Sequence, residues 1–181
     1  GGGNSPVVDG IQVTVYYSPT SPPCIDPTVS EPASQCSPSP AVVFTSDDIG
    51  YVVYVDADGQ VMFRKSTDKG LTWSSGTAMG DDQDVGVVSI WFDKWTPGDT
   101  GTRIHIAHIG EGLDNVRYNY IDTSDDSVGS WYDIYNGGNT NWTGAGYAAP
   151  AITKSTDGIL FAWGGNNQSN VFCRSTDDGA N

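Results

Sequence analysis

The sequence predicts an all-β protein built from repeated antiparallel units, and three observations support this fold class. A Ser/Thr-x-Asp motif occurs three times, and the residues before each copy form the same pair of short runs rich in β-branched and aromatic residues. No stretch of useful length carries the 3.6-residue periodicity of a helix. The 23 glycines and the many turn aspartates of this chain favour strands joined by tight turns.

The repeated motif is complete in one copy, which runs from Ser66 to Trp73 with the sequence Ser-Thr-Asp-Lys-Gly-Leu-Thr-Trp. A looser copy with one extra residue runs from Thr123 to Trp131, and a shorter copy covers 175–181. The copies begin at residues 66, 123 and 175, which are 57 and then 52 positions apart. A period of this size is typical of a β-propeller blade.

A predicted β-hairpin and an earlier, mostly apolar strand precede each copy. The hairpin strands are 51–55 with 61–64, 104–108 with 116–120, and 159–163 with 170–174, and the earlier strands are 41–45, 85–92 and 148–153. We therefore predict three units, at about 41–84, 85–145 and 146–181. Residues 1–40 differ in composition and are predicted to hold an N-terminal strand and a linker rich in proline, serine and cysteine.

Turn chemistry explains the motif without a catalytic role. A serine or threonine followed two residues later by aspartate can return its side-chain oxygens to backbone N–H groups, a glycine supplies positive φ, and the tryptophan re-enters the sheet as an apolar anchor. The predicted structural residues are Ser66, Asp68, Gly70, Thr72, Trp73, Thr123, Asp125, Trp131, Ser175, Asp177 and Gly179. The second copy has Ser127 in place of the glycine, so we expect a wider and less regular turn there.

This pattern resembles the Asp box, the bacterial neuraminidase repeat of sialidases and related β-propellers, whose consensus is S-x-D-x-G-x-T-W. The first copy matches the consensus completely, and the resemblance covers residues 41–181. It implies about three four-stranded blades in which the box joins the third and fourth strands at the periphery. Because a closed propeller usually needs at least four blades, we expect an incomplete ring and a segment of a larger phage or bacterial surface protein.

Sialidase chemistry is not expected from these residues. The resemblance implies a tyrosine nucleophile with a glutamate, an aspartate acid/base and three arginines that bind the substrate carboxylate. Three of the four arginines lie on strands that run into the boxes, and neither Glu31 nor Glu111 has an evident tyrosine partner. Tyr118 and Tyr120 come nearest to a nucleophile. We predict no catalytic residues. The alternative is a fragment of a sialidase-like glycoside hydrolase whose catalytic residues lie largely outside this chain.

A structural or adhesive role is the favoured hypothesis, at an extracellular, cell or virion surface. Tryptophan rings next to hydrogen-bonding groups can stack on sugars, and the candidate glycan-binding residues are Trp91, Asp93, Trp95 and Trp142. Open strand edges or the N-terminal strand could also mediate self-association, so the chain could be a repeating subunit of an assembly.

The charge of the chain restricts its partners. A net charge of −14 and a pI near 4.1 argue against nucleic-acid binding, and no apolar run is long enough to cross a membrane. No cofactor is expected. The alternative is a bound calcium ion. Its candidate ligands are the clustered aspartates Asp81, Asp82 and Asp84, or Asp56 and Asp58.

Cysteine, histidine and asparagine residues give weaker signals. Cys24 and Cys36 either form a disulfide, which would indicate an oxidising compartment, or remain thiols, and Cys173 is expected to be a small buried side chain. Two sequons begin at Asn141 and Asn167 and are possible glycosylation sites. His105 and His108 lie three residues apart on a predicted strand, so we expect them on opposite faces as ordinary sheet residues.

Overall fold

The computed structural model of this protein describes residues 41–46, 48–80, 85–110, 115–136, 150–158, 160–165 and 170–179. These residues form twelve β-strands and one short 3-10 helix, Asp93–Trp95, and no α-helix occurs among them. The all-β fold class predicted from the sequence is confirmed. The described part also contains no helix that is long and apolar enough to span a membrane.

Sheet A is formed by the first four strands. Their order in the sheet is β1 (Val42–Phe44), β2 (Gly50–Val55), β3 (Val61–Ser66) and β4 (Thr77–Ala78), with antiparallel pairing throughout. Tyr51 pairs with Lys65 and Val53 pairs with Phe63, so these four residues lie on one face. Valine and aromatic residues suit this half-buried pleated surface.

Sheet B is formed by the next five strands, β5 (Val85–Phe92), β6 (Arg103–Gly110), β7 (Asn115–Asp122), β8 (Ser127–Val128) and β9 (Tyr132–Asn136). The short strands β8 and β9 pair with opposite ends of β7, so together they take the place of one outer strand. Gly129 lies between them, and a Cβ at this position would collide with the ring of Tyr120. The interruption therefore requires glycine.

Sheet C contains three described strands, β10 (Ala151–Lys154), β11 (Leu160–Gly165) and β12 (Asn170–Ser175), in chain order. Both ladders are antiparallel. In every sheet the described strands come from one continuous stretch of the chain.

The three sheets pack face to face in chain order, A against B and B against C. One cluster of buried side chains joins sheets A and B and includes Val53, Phe63, Ile90 and Ile106. A smaller cluster joins sheets B and C through Ala107, Tyr118 and Ile152. Full burial of each large apolar side chain contributes about 1.5 to 3 kcal/mol. Sheet B is covered on both faces, which explains why its inner strands are so apolar.

Candidate functional site

The first copy of the repeated Ser/Thr-x-Asp motif forms a closed turn of side-chain to backbone hydrogen bonds, and we call the three copies the first, second and third box. The Ser66 hydroxyl accepts from the Gly70 N–H at 2.8 Å and donates to Asp68 at 2.8 Å. The Asp68 carboxylate accepts from the Thr72 N–H at 2.8 Å and from the Thr72 hydroxyl at 2.5 Å. These bonds from Thr72, followed by the bond from Ser66, lower the pKa of Asp68. The side chains of the box are thus used to hold the turn.

The other two boxes repeat this turn to different degrees. In the third box the Ser175 hydroxyl accepts from the Gly179 N–H at 2.9 Å and donates to Asp177 at 2.7 Å, as in the first box. The second box closes differently, because Thr123 donates its hydroxyl proton to the Thr102 carbonyl at 2.7 Å. The third turn therefore has the geometry of the first, and the second does not.

All three boxes share a left-handed backbone at their fourth residue. The φ angle is 63° at Lys69, 63° at Asp126 and 61° at Asp178. Few residue types adopt this conformation readily, and aspartate is one of those that tolerate it. We call this residue the fourth box position. It is aspartate in the second and third boxes, and in both of these its side chain contacts the preceding sheet.

Asp126, at the fourth position of the second box, joins sheet B to sheet A. Its carboxylate accepts a hydrogen bond from the Tyr51 hydroxyl at 2.5 Å and two from the Lys65 ammonium at 2.7 and 2.9 Å. Burial and then the bond to Asp126 raise the pKa of Tyr51 to about 12, and the bond to Asp126 raises the pKa of Lys65. Burial opposes ionisation of Asp126, but the bonds from Lys65 and Tyr51 lower its pKa overall. The contact is therefore charge-assisted.

Asp178, at the fourth position of the third box, contacts sheets B and C. Its carboxylate lies 2.7 Å from the Lys154 ammonium and 3.7 Å from the Arg103 guanidinium. Its backbone carbonyl accepts hydrogen bonds from the Tyr118 hydroxyl at 3.2 Å and from Arg103 at 3.4 Å. The fourth box position thus binds the preceding sheet at both sheet boundaries.

Lys154, the last residue of β10, has a side chain that is only 5% exposed. Its ammonium lies 2.6 Å from Asp93, 2.7 Å from Asp178 and 2.9 Å from Asp99. Three carboxylates match the three N–H donors of an ammonium. We call Asp93, Asp99, His105, Lys154 and Asp178 the Lys154 cluster.

Asp93 is the most enclosed acid of the Lys154 cluster, with 1% of the residue exposed. It accepts hydrogen bonds from Lys154, from the His105 Nε2 at 2.8 Å and from the Arg103 backbone N–H at 2.8 Å. Burial would raise the pKa of Asp93, but the bonds from His105 and Lys154 hold it far below its ordinary value. A Cβ on Gly101 would collide with this carboxylate, so the close approach of the loop needs glycine.

The Lys154 cluster holds charge and is poorly suited to proton transfer. Burial would lower the pKa of Lys154, but bonds to Asp178, Asp93 and Asp99 raise it above its ordinary value. The neighbouring Tyr118 is 2% exposed, and burial raises its pKa well above the ordinary value. A general acid or base works best with a pKa near the operating pH, so Asp93, Lys154 and Tyr118 all lie far from that condition.

Three of these side chains are also candidate metal ligands. Asp93, His105 and Asp178 place possible ligand atoms within 4.8 Å of one another. The Lys154 ammonium, however, is hydrogen-bonded to both of the carboxylates. The chain therefore supplies its own cation to this group of acids.

An open cleft of about 570 Å³ lies beside the Lys154 cluster. It is lined by loop 97–100, Lys154, turn 156–158 and residues 176–178 of the third box. Four carboxylates line it, from Asp99, Asp157, Asp177 and Asp178. The cleft is acidic and polar.

The predicted glycan-binding residues do not form a single surface. Trp91 and Trp95 are half-buried and meet edge to face with ring centroids 5.6 Å apart, and the Trp91 indole N–H donates to the Thr96 hydroxyl at 3.0 Å. The prediction that Asp93 binds a glycan needs correction, because its buried carboxylate is held by Lys154 and His105 and is not available to a glycan. Trp142 lies outside the described residues.

Several other predicted sites also lie outside the described residues. They are the weak calcium candidates Asp81, Asp82 and Asp84, the cysteines Cys24 and Cys36, and the sequon residues Asn141 and Asn167. Asp56 is described, and its carboxylate accepts hydrogen bonds from the backbone N–H groups of Asp58 and Gln60 at 3.0 and 2.9 Å. Asp56 therefore closes a turn.

The two histidines lie on opposite faces of β6, as their spacing predicts. His105 contacts Asp93 and Tyr118, whereas the ring of His108 meets the Trp131 ring edge to face at 4.4 Å. No local pattern around His105 indicates that it belongs to a charged cluster. The prediction that His105 is an ordinary sheet residue therefore needs correction, because its side chain belongs to the Lys154 cluster.

Trp131 and Cys173 connect neighbouring sheets. The Trp131 indole N–H donates to the Met79 carbonyl at 2.8 Å, so the anchor of the second box contacts sheet A. The half-buried Cys173 Sγ lies 3.6 Å from the Ile134 carbonyl of sheet B, and burial raises the pKa of this thiol. A raised pKa is unfavourable for a nucleophilic cysteine.

Sequence reasoning missed Lys154, Asp99 and the role of the fourth box position. One signal was present, because lysine ends an apolar inner strand, where a charge is expected to have a partner. A second signal was the aspartate at the fourth position of two boxes, where the first box has lysine.

A comparison of the chain with protein-family models and with curated proteins finds no match.

Proposed function

We propose that this chain is a non-catalytic structural and adhesive module of the Asp-box β-propeller type, working at an extracellular, cell or virion surface. The observation that carries the proposal is the repeated contact of the fourth box position. Asp126 binds Tyr51 and Lys65 of the preceding sheet, and Asp178 binds Arg103 and Lys154. The aspartates at the fourth box position thus join neighbouring sheets.

Sheet order supports the propeller architecture within this proposal. Each sheet comes from one continuous stretch of the chain, and each packs face to face against the next. The first strand of each sheet lies at one edge and the box follows the third strand in each. Radially repeated sheets of this kind leave only short edges and bury their inner strands.

The environment of Tyr118 and Tyr120 supports a non-catalytic role. The Tyr118 hydroxyl is bonded to His105 and to the Asp178 carbonyl inside the protein. The Arg103 guanidinium stacks on the Tyr120 ring at 4.1 Å from its centroid. The Arg103–Tyr120 stack holds two strands of sheet B together, and the bond from Tyr118 to Asp178 joins sheet B to the third box. The hydrolase alternative would require one of these tyrosines to reach a substrate.

The Asp126→Asn variant tests the structural role. It removes the charge from the contact with Lys65 and Tyr51, and because the carboxylate is 40% exposed we expect a loss of about 1 kcal/mol in the free energy of unfolding. Asp58→Asn, at an exposed turn position, is the matched control and should change stability little. Equal stability of the two variants, measured by urea unfolding, would remove the support for this proposal.

A sialoside assay tests the non-catalytic part. The wild-type chain should show no hydrolysis above the buffer rate. Turnover that Tyr118→Phe or Tyr120→Phe abolishes, with the fold intact by circular dichroism, would establish the hydrolase alternative.

Glycan adhesion is tested at the Trp91 and Trp95 pair. Half-buried tryptophans at a strand end can offer a ring face to a sugar. On a glycan array we expect binding that Trp95→Ala abolishes and that Trp73→Ala, a change in the first box, retains. An array without any bound glycan would contradict adhesion to sugars and leave the structural role.

A further inference from the structure

Three carboxylates and an imidazole of the Lys154 cluster converge on the ammonium group of Lys154. The Lys154 Nζ lies 2.6 Å from Asp93 Oδ1, 2.7 Å from Asp178 Oδ1 and 2.9 Å from Asp99 Oδ2. The His105 Nε2 lies 2.8 Å from the same Asp93 oxygen. A zinc ion holds nitrogen and oxygen ligands at about 2.0 to 2.2 Å, so small movements of these side chains would bring them to bonding distance of one ion.

The ligand groups also have the outer hydrogen-bond partners that are typical of metal ligands. The Arg103 backbone N–H donates to Asp93 Oδ2 at 2.8 Å, which leaves Oδ1 for a cation. The His105 Nδ1 lies 2.8 Å from the Tyr118 hydroxyl, which in turn donates to the Asp178 carbonyl. When Nε2 binds a metal, Nδ1 carries the ring proton, and the Tyr118 oxygen can accept it. Partners of this kind fix the orientation of metal-bound histidines and carboxylates.

The acids around this point outnumber the cations that pair with them. Five carboxylates belong to the cluster or line the cleft beside it, namely those of Asp93, Asp99, Asp157, Asp177 and Asp178. Among the described residues, Lys154 and Arg103 form ion pairs with this set. Two cations against five carboxylates leave a surplus of negative charge, which attracts a divalent cation.

Lys154 has room to leave its position, because its side chain lines the open cleft of about 570 Å³. The exposed carboxylate of Asp157 lines the same cleft and can accept the ammonium when the flexible lysine stem turns outward. The cleft also gives an ion in solution a route to the buried Asp93 and His105.

We propose that Asp93, Asp99, His105 and Asp178 form a binding site for a divalent metal ion of the zinc class, and that Lys154 occupies the position of the ion in the metal-free protein. The imidazole favours zinc over calcium, which prefers about six to eight oxygen ligands. The ion would link the 3-10 helix and β6 of sheet B to the third box. This inference goes beyond the proposed function and does not depend on it.

Zinc titration of the metal-free full chain tests the proposal. Calorimetry should show one Zn²⁺ bound per chain, and Ca²⁺ should bind about tenfold more weakly or less well still. Asp178→Asn changes a ligand that is 40% exposed and should weaken zinc binding about tenfold or more. Asp157→Asn is the matched control, because it removes a charge of the same cleft outside the ligand set, and it should weaken binding by less than about threefold.

Lys154→Met and His105→Gln give a second readout. Lys154→Met removes the competing cation, so we expect it to bind zinc about tenfold more tightly than the wild type and to gain more in its thermal midpoint when zinc is added. X-ray absorption at the zinc edge should show one imidazole among oxygen ligands in the wild type. His105→Gln, with its fold checked by circular dichroism, should lose the imidazole signal.

The outcomes separate a metal site from diffuse attraction of cations to the acidic cleft. Equal weakening by Asp178→Asn and Asp157→Asn would indicate diffuse attraction and overturn the proposal. No zinc binding by the wild type, binding that Asp178→Asn leaves unchanged, or a zinc spectrum without imidazole would each overturn it as well. If the wild type binds no zinc while Asp126→Asn lowers stability, the metal site fails and the proposed function survives. Zinc binding with an ineffective Asp126→Asn would give the reverse result.

Discussion

The ammonium of Lys154 lies 2.6 Å from a carboxylate oxygen of Asp93, and both side chains are almost completely buried. Lys154 belongs to sheet C, whereas Asp93 belongs to the 3-10 helix that follows the first strand of sheet B. The pair therefore joins two sheets at a place where both groups are largely removed from solvent. Removal of one partner from such a pair leaves the other as an uncompensated charge.

The first prediction concerns Lys154→Met, which keeps an unbranched side chain, one atom shorter, and removes its charge. We expect the free energy of unfolding to fall by about 3 kcal/mol, because the Asp93 carboxylate would stay buried without its cation. Lys94→Met is the matched control, since Lys94 is exposed on the same 3-10 helix as Asp93, and it should change stability by less than about 0.5 kcal/mol. Urea unfolding of both variants measures the difference, and similar losses would show that the ion pair contributes little.

The second prediction concerns acid. Burial opposes ionisation of Asp93 and Asp126, but hydrogen bonds from His105 and Lys154 to the first and from Lys65 and Tyr51 to the second lower both pKa values overall. Below about pH 4 the unfolded chain therefore binds more protons than the folded chain. Stability should therefore fall as the pH decreases below that value. In Asp126→Asn the fall should be shallower than in the wild type. Parallel curves from urea unfolding at several pH values would contradict the assigned role of Asp126.

The third prediction concerns alkali. The pKa of Tyr51 is raised to about 12 by burial and by the bond to Asp126, against about 10 in the unfolded chain. The folded chain retains this proton longer, so its contribution is complete below about pH 10 and is lost as the pH rises towards 12. Tyr51→Phe should reduce the decline of stability in this window. Ultraviolet absorbance should show one tyrosine fewer titrating at high pH in the variant, and an unchanged titration would contradict the assignment.

The fourth prediction concerns Gly179→Ala in the third box. The φ angle at Gly179 is 82°, and a Cβ would collide with the ring of Tyr118. We expect a loss of more than about 2 kcal/mol, because backbone strain and steric overlap both act. Gly80→Ala is the control, since φ is 75° there but nothing lies within 4 Å of the added Cβ, and it should show only the strain of about 1 kcal/mol. Equal losses in thermal unfolding would mean that the Tyr118 contact relaxes freely.

The sequence was sufficient to predict the strands and the boxes, but not the contacts between sheets. The runs at 51–55, 85–92 and 104–108 were predicted because they are short, apolar and bounded by turn residues. The contact of Asp126 with Lys65 was not predicted, because it depends on how two sheets approach and on a left-handed φ that no local pattern specifies. For the same reason the sequence predicts Asp93 as a glycan-binding residue, although a buried cation from a distant strand holds its carboxylate.

The extra residue of the second box has a consequence for how such repeats vary in length. The fourth box position comes three residues after the start of every copy, whereas the extra residue falls later, between Asp126 and Trp131. An insertion there lengthens the turn without moving the carboxylate that contacts Lys65. In the second box the first half therefore sets the contact with the neighbouring sheet, and the length of the second half is independent of that contact.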